Sequence, residues 1–337
     1  MTNDVLIRKE GLAGRITLNR PEALNALSFE MVTEIEKALI AWRDDASIRC
    51  IIIDGAGEKA FCAGGDIDEM YQAGIKGDYS FSQKFFTEEY RLNATIARYP
   101  KPYLALIHGF VMGGGVGVSG HGSHRVVMSS AKIAMPECGI GLVPDVGSTH
   151  LLANAAGYLG EFLGMTGYRM NAADAILARF ADAHIPDSAK DELIEAIADT
   201  GDLSFVETFE TEPEADTLSS SLEAIDLVFS RRDTAEIMEA LEASTDDWAV
   251  AALKALKRND PLSLECTLQL VRRARVENSI EAALAGEYGF TSRAMEHGNF
   301  LEGTRAAIVD KDRNPKWKYG TFQDVPSAII EKMLASA

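Results

Sequence analysis

The middle of the chain combines a run of glycines with two acidic residues, and these are the residues best suited to chemistry. Glu137 follows Pro136, and Asp145 follows Pro144. Six glycines precede them within ten residues, namely Gly113, Gly114, Gly115, Gly117, Gly120 and Gly122. Such a density of glycine lets a backbone approach a ligand closely, at an entropic cost that an ordinary loop has no reason to carry. The pattern therefore indicates backbone amides that hold one part of a ligand while a carboxylate acts on another part.

Hydrophobic periodicity predicts the strands and helices that would position these residues. The apolar run from Tyr103 to Ile107 predicts a buried strand directly ahead of the glycines. Near the N-terminus, Val5 to Arg8 and Arg15 to Asn19 predict a hairpin. Phe29 to Trp42 predicts an amphipathic helix with Ser28 as its N-cap. The first half of the chain thus repeats a strand–strand–helix unit.

The second half of the chain has a different pattern. From Asp187 onward the strand signal almost vanishes, and helical periodicity dominates to residue 310. At 337 residues the chain also exceeds the size at which single cores usually stop growing. We therefore predict an α/β protein in two parts, a core over 1–205 that carries the site and a helical C-terminal region over 206–337.

The charge of the chain excludes some classes of partner. With 33 basic and 51 acidic residues, the net charge is −18. A strongly acidic protein is a poor partner for nucleic acid or an anionic membrane. An anionic ligand would have to be held by local donors rather than by the overall field.

The cysteines and the N-terminus indicate a soluble, cytoplasmic protein. The four cysteines form no CxxC pair, which is typical of free thiols in a reducing compartment. The N-terminus lacks a basic stretch followed by an apolar one, and no apolar run is long enough to span a membrane.

Five segments together resemble the crotonase (enoyl-CoA hydratase/isomerase) superfamily. They are RPEALNALS (20–28), KAFCAGGDI (59–67), ALIHGFVMGGGVG (105–117), AMPECGIGLVPDVG (134–147) and FLEGTRAAIVDKDRNPKW (300–317). The EEY before the central strand, MGGGVG-x-S-x-HG, PDVG and the long helical C-terminal region resemble the 3-hydroxyisobutyryl-CoA hydrolases within it. The resemblance implies an α/β crotonase spiral of ββα repeats, an acyl-CoA substrate and a trimer-based homo-oligomer.

The same resemblance implies roles for individual residues. The amides of Gly65 and Gly114, each placed by the sequence where a helix begins, would form an oxyanion hole for the thioester carbonyl. Glu137 matches the catalytic glutamate, Asp145 matches an acid of the hydrolase subgroup, and Glu89 matches the acid that meets the substrate hydroxyl. Each residue also has an ordinary alternative. Gly65 and Gly114 could serve a turn or close packing, and Glu89 and Glu137 could be surface or loop acids. Asp145 could cap a helix starting at Val146.

Further residues belong to segments that line the CoA groove in relatives. These expected substrate-binding residues are Leu24, Ala26, Ala63, Asp66, Ile67 and Gly113. No separate cofactor is expected, because CoA is part of the substrate, and no metal is expected either. The pair His121 and His124 lacks a placed carboxylate, which favours a structural role over a metal site.

Two motifs help to separate the possible functions. Hydratases of this superfamily have a second glutamate where this chain has Gly117, so the resemblance counts against hydration. The GxGxxG formed by residues 115–120 lacks the acidic residue that should close the next strand, which counts against an NAD-linked dehydrogenase.

The sequence therefore predicts hydrolysis of a short β-hydroxyacyl-CoA thioester. The resemblance favours 3-hydroxyisobutyryl-CoA, a step of valine catabolism, with Glu137 as general base or as nucleophile. The alternatives are an enoyl-CoA hydratase or isomerase on the same fold, and a catalytically silent binding protein.

Overall fold

The computed structural model of the chain describes residues 3–336, which contain nine strands and sixteen α-helices. The strands are β1 (Val5–Glu10), β2 (Ala13–Leu18), β3 (Cys50–Gly55), β4 (Ala60–Cys62), β5 (Tyr103–Ile107), β6 (Phe110–Met112), β7 (His124–Met128), β8 (Lys132–Ala134) and β9 (Ala183–Ile185). The helices are α1 (Phe29–Trp42), α2 (Ile67–Gly74), α3 (Ser80–Ala97), α4 (Gly114–Ser119), α5 (Ser148–Ala153), α6 (Leu159–Thr166), α7 (Ala172–Leu177), α8 (Lys190–Thr200), α9 (Phe205–Phe209), α10 (Leu222–Phe229), α11 (Thr234–Ala243), α12 (Asp247–Arg258), α13 (Pro261–Glu277), α14 (Ile280–Thr291), α15 (Phe300–Thr304) and α16 (Ser327–Leu334).

The strands form two sheets. A six-stranded sheet has the order β1-β2-β3-β5-β7-β9, in which only β1 and β2 are antiparallel. A three-stranded sheet has the order β4-β6-β8 and is parallel throughout. From β3 onward successive strands alternate between the two sheets, whereas β1 and β2 both belong to the six-stranded one.

The described residues divide into two compact units, each made of separate stretches of chain. The unit that holds both sheets, called the sheet unit below, runs up to Asp66 and includes Glu88–Ala134 and Arg169–Thr217. The helical unit comprises Ile67–Thr87, Met135–Tyr168 and the chain from Leu218 onward. Since both units are discontinuous, they do not test a boundary drawn along the chain near residue 205, which stays a prediction.

The core of the sheet unit forms because its central strands β3 and β5 are largely apolar and are buried along their whole length. Leu104 and Leu106 on β5, like Val126 and Met128 on β7, are two residues apart and share one face of the sheet. That face packs against helix α8 through buried side chains at helical spacing, namely Leu193, Ile194 and Ile197. Burial of this kind contributes about 25 cal/mol for each Å² of apolar surface.

Helix α13 is the buried centre of the helical unit. It begins with Pro261, and its N-cap Asp260 accepts a hydrogen bond from the amide of Ser263. Proline suits this first position because its missing N–H would have no partner there in any case. Apolar residues cover most of the helix surface, and α5, α6 and α14 pack around it.

Several predictions about local structure are confirmed. The N-terminal hairpin and helix α1 form where they were predicted, and the side chain of Ser28 accepts a hydrogen bond from the amide of Met31. Within residues 3–336 no strand follows Ile185. All four cysteines are free and buried. None of the described helices combines the length and apolar character needed to cross a membrane.

Candidate active site

The three-stranded sheet of the sheet unit explains why two distant glycine motifs meet. Strands β4 and β6 are parallel, and Cys62 at the end of β4 pairs with Val111 in β6. Since the carboxyl ends of parallel strands lie at the same edge of a sheet, the segments that follow them leave that edge together. Gly65 follows β4 and Gly114 follows β6.

Gly114 is in close contact with Gly65 and Glu89. A Cβ atom placed on Gly114 would lie 2.5 Å from Oε1 of Glu89 and 3.3 Å from the amide nitrogen of Gly65. Any side chain at this position would displace one of its neighbours, so only glycine fits without rearrangement. Three residues that the sequence places far apart, and that the resemblance assigns to one site, are thus adjacent.

The amide of Gly65 is directed away from the chain that pairs with it. Leu27 donates to the carbonyl of Gly64 at 2.9 Å and accepts from the amide of Asp66 at 2.8 Å. Because backbone groups alternate in direction along an extended chain, the N–H of Gly65 points to the opposite side. It is therefore positioned to donate to a ligand.

Gly114 starts helix α4, as predicted, but Gly65 does not start a helix. Gly113 is the N-cap of α4 with φ of 49°, a left-handed conformation that favours glycine. The amide of Gly114 belongs to the first turn of α4, where N–H groups have no partner within the helix. Gly65 lies two residues before α2, in extended backbone. Its amide is free of Leu27 because of strand-like pairing, and the predicted helix begins just after it, at Ile67.

The expected groove residues of the sheet unit are in segments that are tied to each other. The carbonyl of Leu24 accepts from the amide of Ala63 at 3.0 Å. Arg20, which the sequence analysis overlooked, donates from Nη1 to the carbonyl of Ala26 and to Oδ2 of Asp66, both at 2.8 Å. Arg20 thus ties the segment that presents Gly65 to the segment that carries Ala26.

Glu89 and Glu88 have different surroundings, which separates the two candidates for the hydroxyl-binding acid. Glu88 forms an ion pair with Arg91, which also binds Glu36. Glu89 is only 2% exposed and lies beside Gly114. Burial, with a contribution from the charge of Glu89, raises the pKa of the Cys62 thiol to about 12. Glu89, rather than Glu88, is therefore the acid that lies beside Gly114.

In the helical unit, Glu137 begins a short 3₁₀ turn, Glu137–Ile140. Its carbonyl accepts hydrogen bonds from the amides of Gly141 and Leu142, which close the turn. The side chain of Glu137 is 5% exposed, so it is not a solvated loop acid. A buried carboxylate of this kind is a candidate for acid–base chemistry.

The turn that carries Glu137 is anchored to helix α13. The carbonyl of Cys138 accepts from the amide of Asp260 at 2.9 Å, and its Sγ lies 3.2 Å from Oγ1 of Thr267. Asp260 is fully buried and also accepts from Nδ2 of Asn299 at 2.8 Å. The orientation of Glu137 therefore depends on buried polar contacts with α13, which is far away in sequence.

Asp145 is not a helix cap. Helix α5 begins at Ser148 with Gly147 as its N-cap, and Val146 has φ of 57°. A residue in the left-handed region cannot be part of a right-handed helix, so the alternative of a helix starting at Val146 was wrong. Asp145 is 4% exposed, and its carbonyl accepts from the amide of Ser148.

Glu287 of helix α14 is a buried carboxylate that the sequence analysis overlooked. It is 0% exposed and shares the buried side of the helix with Ala283 and Phe290, a spacing that could have marked it. Its Oε2 accepts from the amide of Gly147 at 2.7 Å, and its Oε1 from the amide and hydroxyl of Thr149 at 2.9 and 2.6 Å.

Burial raises the pKa of Glu287 to about 8; the charge of Asp145 adds to the rise, and the hydrogen bonds from Thr149 and Gly147 oppose it. A raised pKa in the folded state means that folding binds a proton. The contribution of Glu287 to the free energy of unfolding is complete below the pKa of the unfolded state, near 4.5. It is lost as the pH rises through the folded-state pKa of about 8.

We expect the melting temperature to fall between pH 5 and pH 8, and to fall less in Glu287→Gln. At about 1.4 kcal/mol per pKa unit, the difference amounts to a few kcal/mol. Thermal unfolding at a series of pH values checks this, with Glu22→Gln, an exposed glutamate, as the control. The same pH dependence in both variants would contradict the assignment to Glu287.

The remaining predicted residues are placed as follows. Gly117 is buried within helix α4, and Ile67 is the first residue of helix α2 in the helical unit. Among the residues that the structure describes, no three His, Cys, Asp or Glu side chains are grouped as metal ligands.

Comparison with known proteins gives a family and close relatives. The family model described as "Enoyl-CoA hydratase/isomerase" matches residues 13–334. A 3-hydroxyisobutyryl-CoA hydrolase, mitochondrial, of Danio rerio is 40% identical over 99% of this chain and 90% of that protein. The protein of the same name from Homo sapiens is 39% identical over 96% of this chain and 86% of that protein.

Solved structures confirm the predicted α/β crotonase fold with its helical C-terminal region. An enoyl-CoA hydratase from Rhodobacter sphaeroides 2.4.1 matches with a TM-score of 0.96 and 48% identity, covering 99% of this chain and 98% of that one. A carnitinyl-CoA dehydratase from Mycobacterium thermoresistibile matches with a TM-score of 0.95 and 40% identity, covering 100% and 97%. The names of the similar proteins thus specify different reactions of CoA thioesters.

Proposed function

The chain belongs to the enoyl-CoA hydratase/isomerase family, and on that premise we propose that it hydrolyses a short β-hydroxyacyl-CoA thioester. 3-Hydroxyisobutyryl-CoA is the proposed substrate, and 3-hydroxyisobutyrate and CoA are the products. The observation that carries the proposal is the contact of Gly65, Gly114 and Glu89. It combines amides suited to a carbonyl oxygen with an acid suited to a hydroxyl group.

The proposed oxyanion hole consists of the amides of Gly65 and Gly114. Hydrolysis of a thioester passes through a tetrahedral intermediate whose oxygen carries negative charge. Donors that are already oriented stabilise this charge, and each contributes about 3 kcal/mol to lowering the barrier. The amide of Gly65, directed away from Leu27, and the first-turn amide of Gly114 have the required freedom to donate.

Glu137 is proposed to drive the attack on the carbonyl carbon. As a general base it removes a proton from water, whose oxygen forms the new C–O bond while the C–S bond breaks and the thiolate of CoA leaves. As a nucleophile it forms an acyl–glutamyl anhydride, which water then cleaves to the free acid and the original carboxylate. In both routes the overall reaction consumes one water and releases one acid and one thiol.

Asp145 and Glu89 are proposed to have distinct roles. Asp145 orients or protonates a reacting group, which its low exposure supports. Glu89 accepts a hydrogen bond from the 3-hydroxyl of the acyl group. Leu24, Ala26, Ala63, Asp66, Ile67 and Gly113 are proposed to contact the CoA moiety.

A hydratase is the second candidate, because the two solved structures named above are titled as a hydratase and a dehydratase. Hydration of a double bond in this family uses a second glutamate where this chain has Gly117. A residue without a side chain cannot hold or transfer a proton, which favours hydrolysis. Loss of the double-bond absorbance of crotonyl-CoA would support the hydratase instead.

The experiment that tests the proposed function is thiol release from a panel of CoA esters. We expect 3-hydroxyisobutyryl-CoA to have a higher kcat/KM than isobutyryl-CoA, which lacks only the hydroxyl. Glu89→Gln should reduce that preference by roughly tenfold, because the hydroxyl loses its charged acceptor. Glu88→Gln, the neighbouring surface acid, is the matched control. Equal rates for both esters in the unmodified protein would contradict the role of Glu89.

The partners and the compartment follow from the proposed substrate and stay predictions. An acyl-CoA ester is the proposed ligand, with no nucleic acid, membrane or separate cofactor, and a trimer-based homo-oligomer is a family habit. A cytoplasmic location and a part in valine catabolism are likewise predictions. The names of the Danio rerio and Homo sapiens relatives assign those proteins to mitochondria.

A further inference from the structure

The turn that follows Asp145 has a strained backbone. Val146 has φ of 57° and Gly147 has φ of 79°, so two successive residues are left-handed. Glycine adopts this conformation freely, but a β-branched residue is a genuine outlier there. Such strain costs free energy and persists only where surrounding contacts over-determine the conformation.

The contacts that hold this turn come from a single carboxylate. Glu287 accepts the amide of Gly147 through one oxygen, and the amide and hydroxyl of Thr149 through the other. Both residues lie directly after Val146, so the carboxylate fixes the chain on the C-terminal side of the strained residue. The hydrogen bond from Ser148 to the carbonyl of Asp145 closes the turn on the other side.

The buried Glu287 and the strained turn would not be expected if stability were their only purpose, because both lower it. Glu287 is completely buried, and burial together with the charge of Asp145 raises its pKa, so its ionised form is unfavourable here. Burying a charge beside a like charge is unfavourable, and an apolar side chain in the same helix position would avoid that cost. A function for the turn would explain why both the buried charge and the strained valine are present.

We propose that Glu287 is a positioning residue, which holds the turn of Val146 and Gly147 so that the carboxylate of Asp145 keeps the orientation needed for hydrolysis. The inference rests on the proposed function and adds a residue to it. Glu287 acts through the backbone of its neighbours and does not touch the substrate. Small displacements of a reacting group are expensive, since a shift of about 1 Å can reduce a rate roughly 100-fold.

The direct test is the kinetics of thiol release by Glu287→Gln. A glutamine has one acceptor oxygen, so it cannot accept from both Gly147 and Thr149, and its NH₂ group would face an N–H donor. We expect kcat to fall roughly 10- to 100-fold while KM changes by less than about threefold, because substrate binding does not involve Glu287.

Glu161→Gln is the matched control. Glu161 is also a fully buried carboxylate of the helical unit, and it pairs with Arg275 at 2.7 Å, away from the turn of Asp145 in sequence. This variant should lose stability through the unpaired arginine but keep kcat. If both variants lose kcat in proportion to their loss of stability, Glu287 has only a structural role and the inference is overturned.

Thr149→Val is the second variant, in case Glu287→Gln does not fold. It keeps the backbone amide and removes only the hydroxyl donor at 2.6 Å from Oε1. The loss of one hydrogen bond should lower kcat about three- to tenfold with KM unchanged. An unmodified protein that releases no thiol from any ester would refute the proposed function and this inference together. Full turnover by all these variants would refute this inference alone.

Discussion

Replacing Glu137 with glutamine should reduce kcat for thiol release by about 1000-fold, with KM changed by only a few-fold. Glutamine has nearly the same shape, so the 3₁₀ turn that begins at this residue and its anchors at Cys138 should remain. It can neither take a proton from water nor attack a thioester. The loss should therefore be confined to the chemical step.

The same variant separates the two routes proposed for Glu137. Hydroxylamine added during turnover traps an acyl–glutamyl anhydride as a hydroxamate, whereas the general-base route has no such intermediate. Glu137→Gln corrects for direct reaction of hydroxylamine with the thioester. A melting temperature equal to that of the unmodified protein shows that the fold is intact. Full thioesterase turnover by this variant would contradict the assignment of Glu137.

Gly114→Ala should lower kcat/KM by about 100- to 1000-fold, which is the usual effect of losing one oxyanion donor. The new Cβ would lie 2.5 Å from Oε1 of Glu89 and 3.3 Å from the amide nitrogen of Gly65. The new Cβ therefore occupies the space in front of the Gly65 amide and displaces the side chain of Glu89. The substitution also keeps helix α4 possible, because alanine is a better helix former than glycine.

Gly320→Ala is the control for this substitution. A Cβ at this exposed position would lie 3.5 Å from Oδ2 of Asp324, an ordinary contact. Its kinetics should equal those of the unmodified protein. A Gly114→Ala variant that folds and retains full activity would show that the reaction does not need the space beside the Gly65 amide and Glu89.

The fold was predictable because its signals are local and repeated. Each of these signals depends on neighbouring residues only. They are the apolar runs of the strands, the cap at Ser28 and the loss of strand signal after Asp187. The meeting of the two glycine motifs was predictable from the resemblance. In the structure, parallel strands bring the segments after β4 and β6 to one edge of the sheet. Periodicity by itself would not have paired these two segments.

The residues that support the site could not be predicted from the sequence. Glu287 is about 140 positions from the turn that it holds, and although its spacing from Ala283 and Phe290 could indicate a buried position, nothing local indicates which residues it contacts. Arg20 was overlooked for the same reason, since its two acceptors belong to different segments. The alternative of a helix that starts at Val146 was wrong because nothing local indicates a left-handed valine.

Helix α2 begins two residues after Gly65, so the amide of Gly65 is not itself a first-turn amide, which matters to the mechanism. The sequence suggested a helical first-turn amide, whereas the structure has strand-like pairing with Leu27. Both arrangements leave one N–H without a backbone partner. The chemistry expected of Gly65 is therefore unchanged, although the helix dipole no longer contributes at this residue itself.

The most direct test of the central claim is the carbonyl stretching band of 3-hydroxyisobutyryl-CoA, measured by infrared difference spectroscopy on the slow Glu137→Gln variant. Two amides that polarise the thioester carbonyl should move its band to lower frequency than in free substrate, and adding Gly114→Ala should largely reverse the shift. A bound substrate whose carbonyl band equals that of the free ester, with both glycines intact, would contradict the oxyanion hole and the hydrolysis built on it.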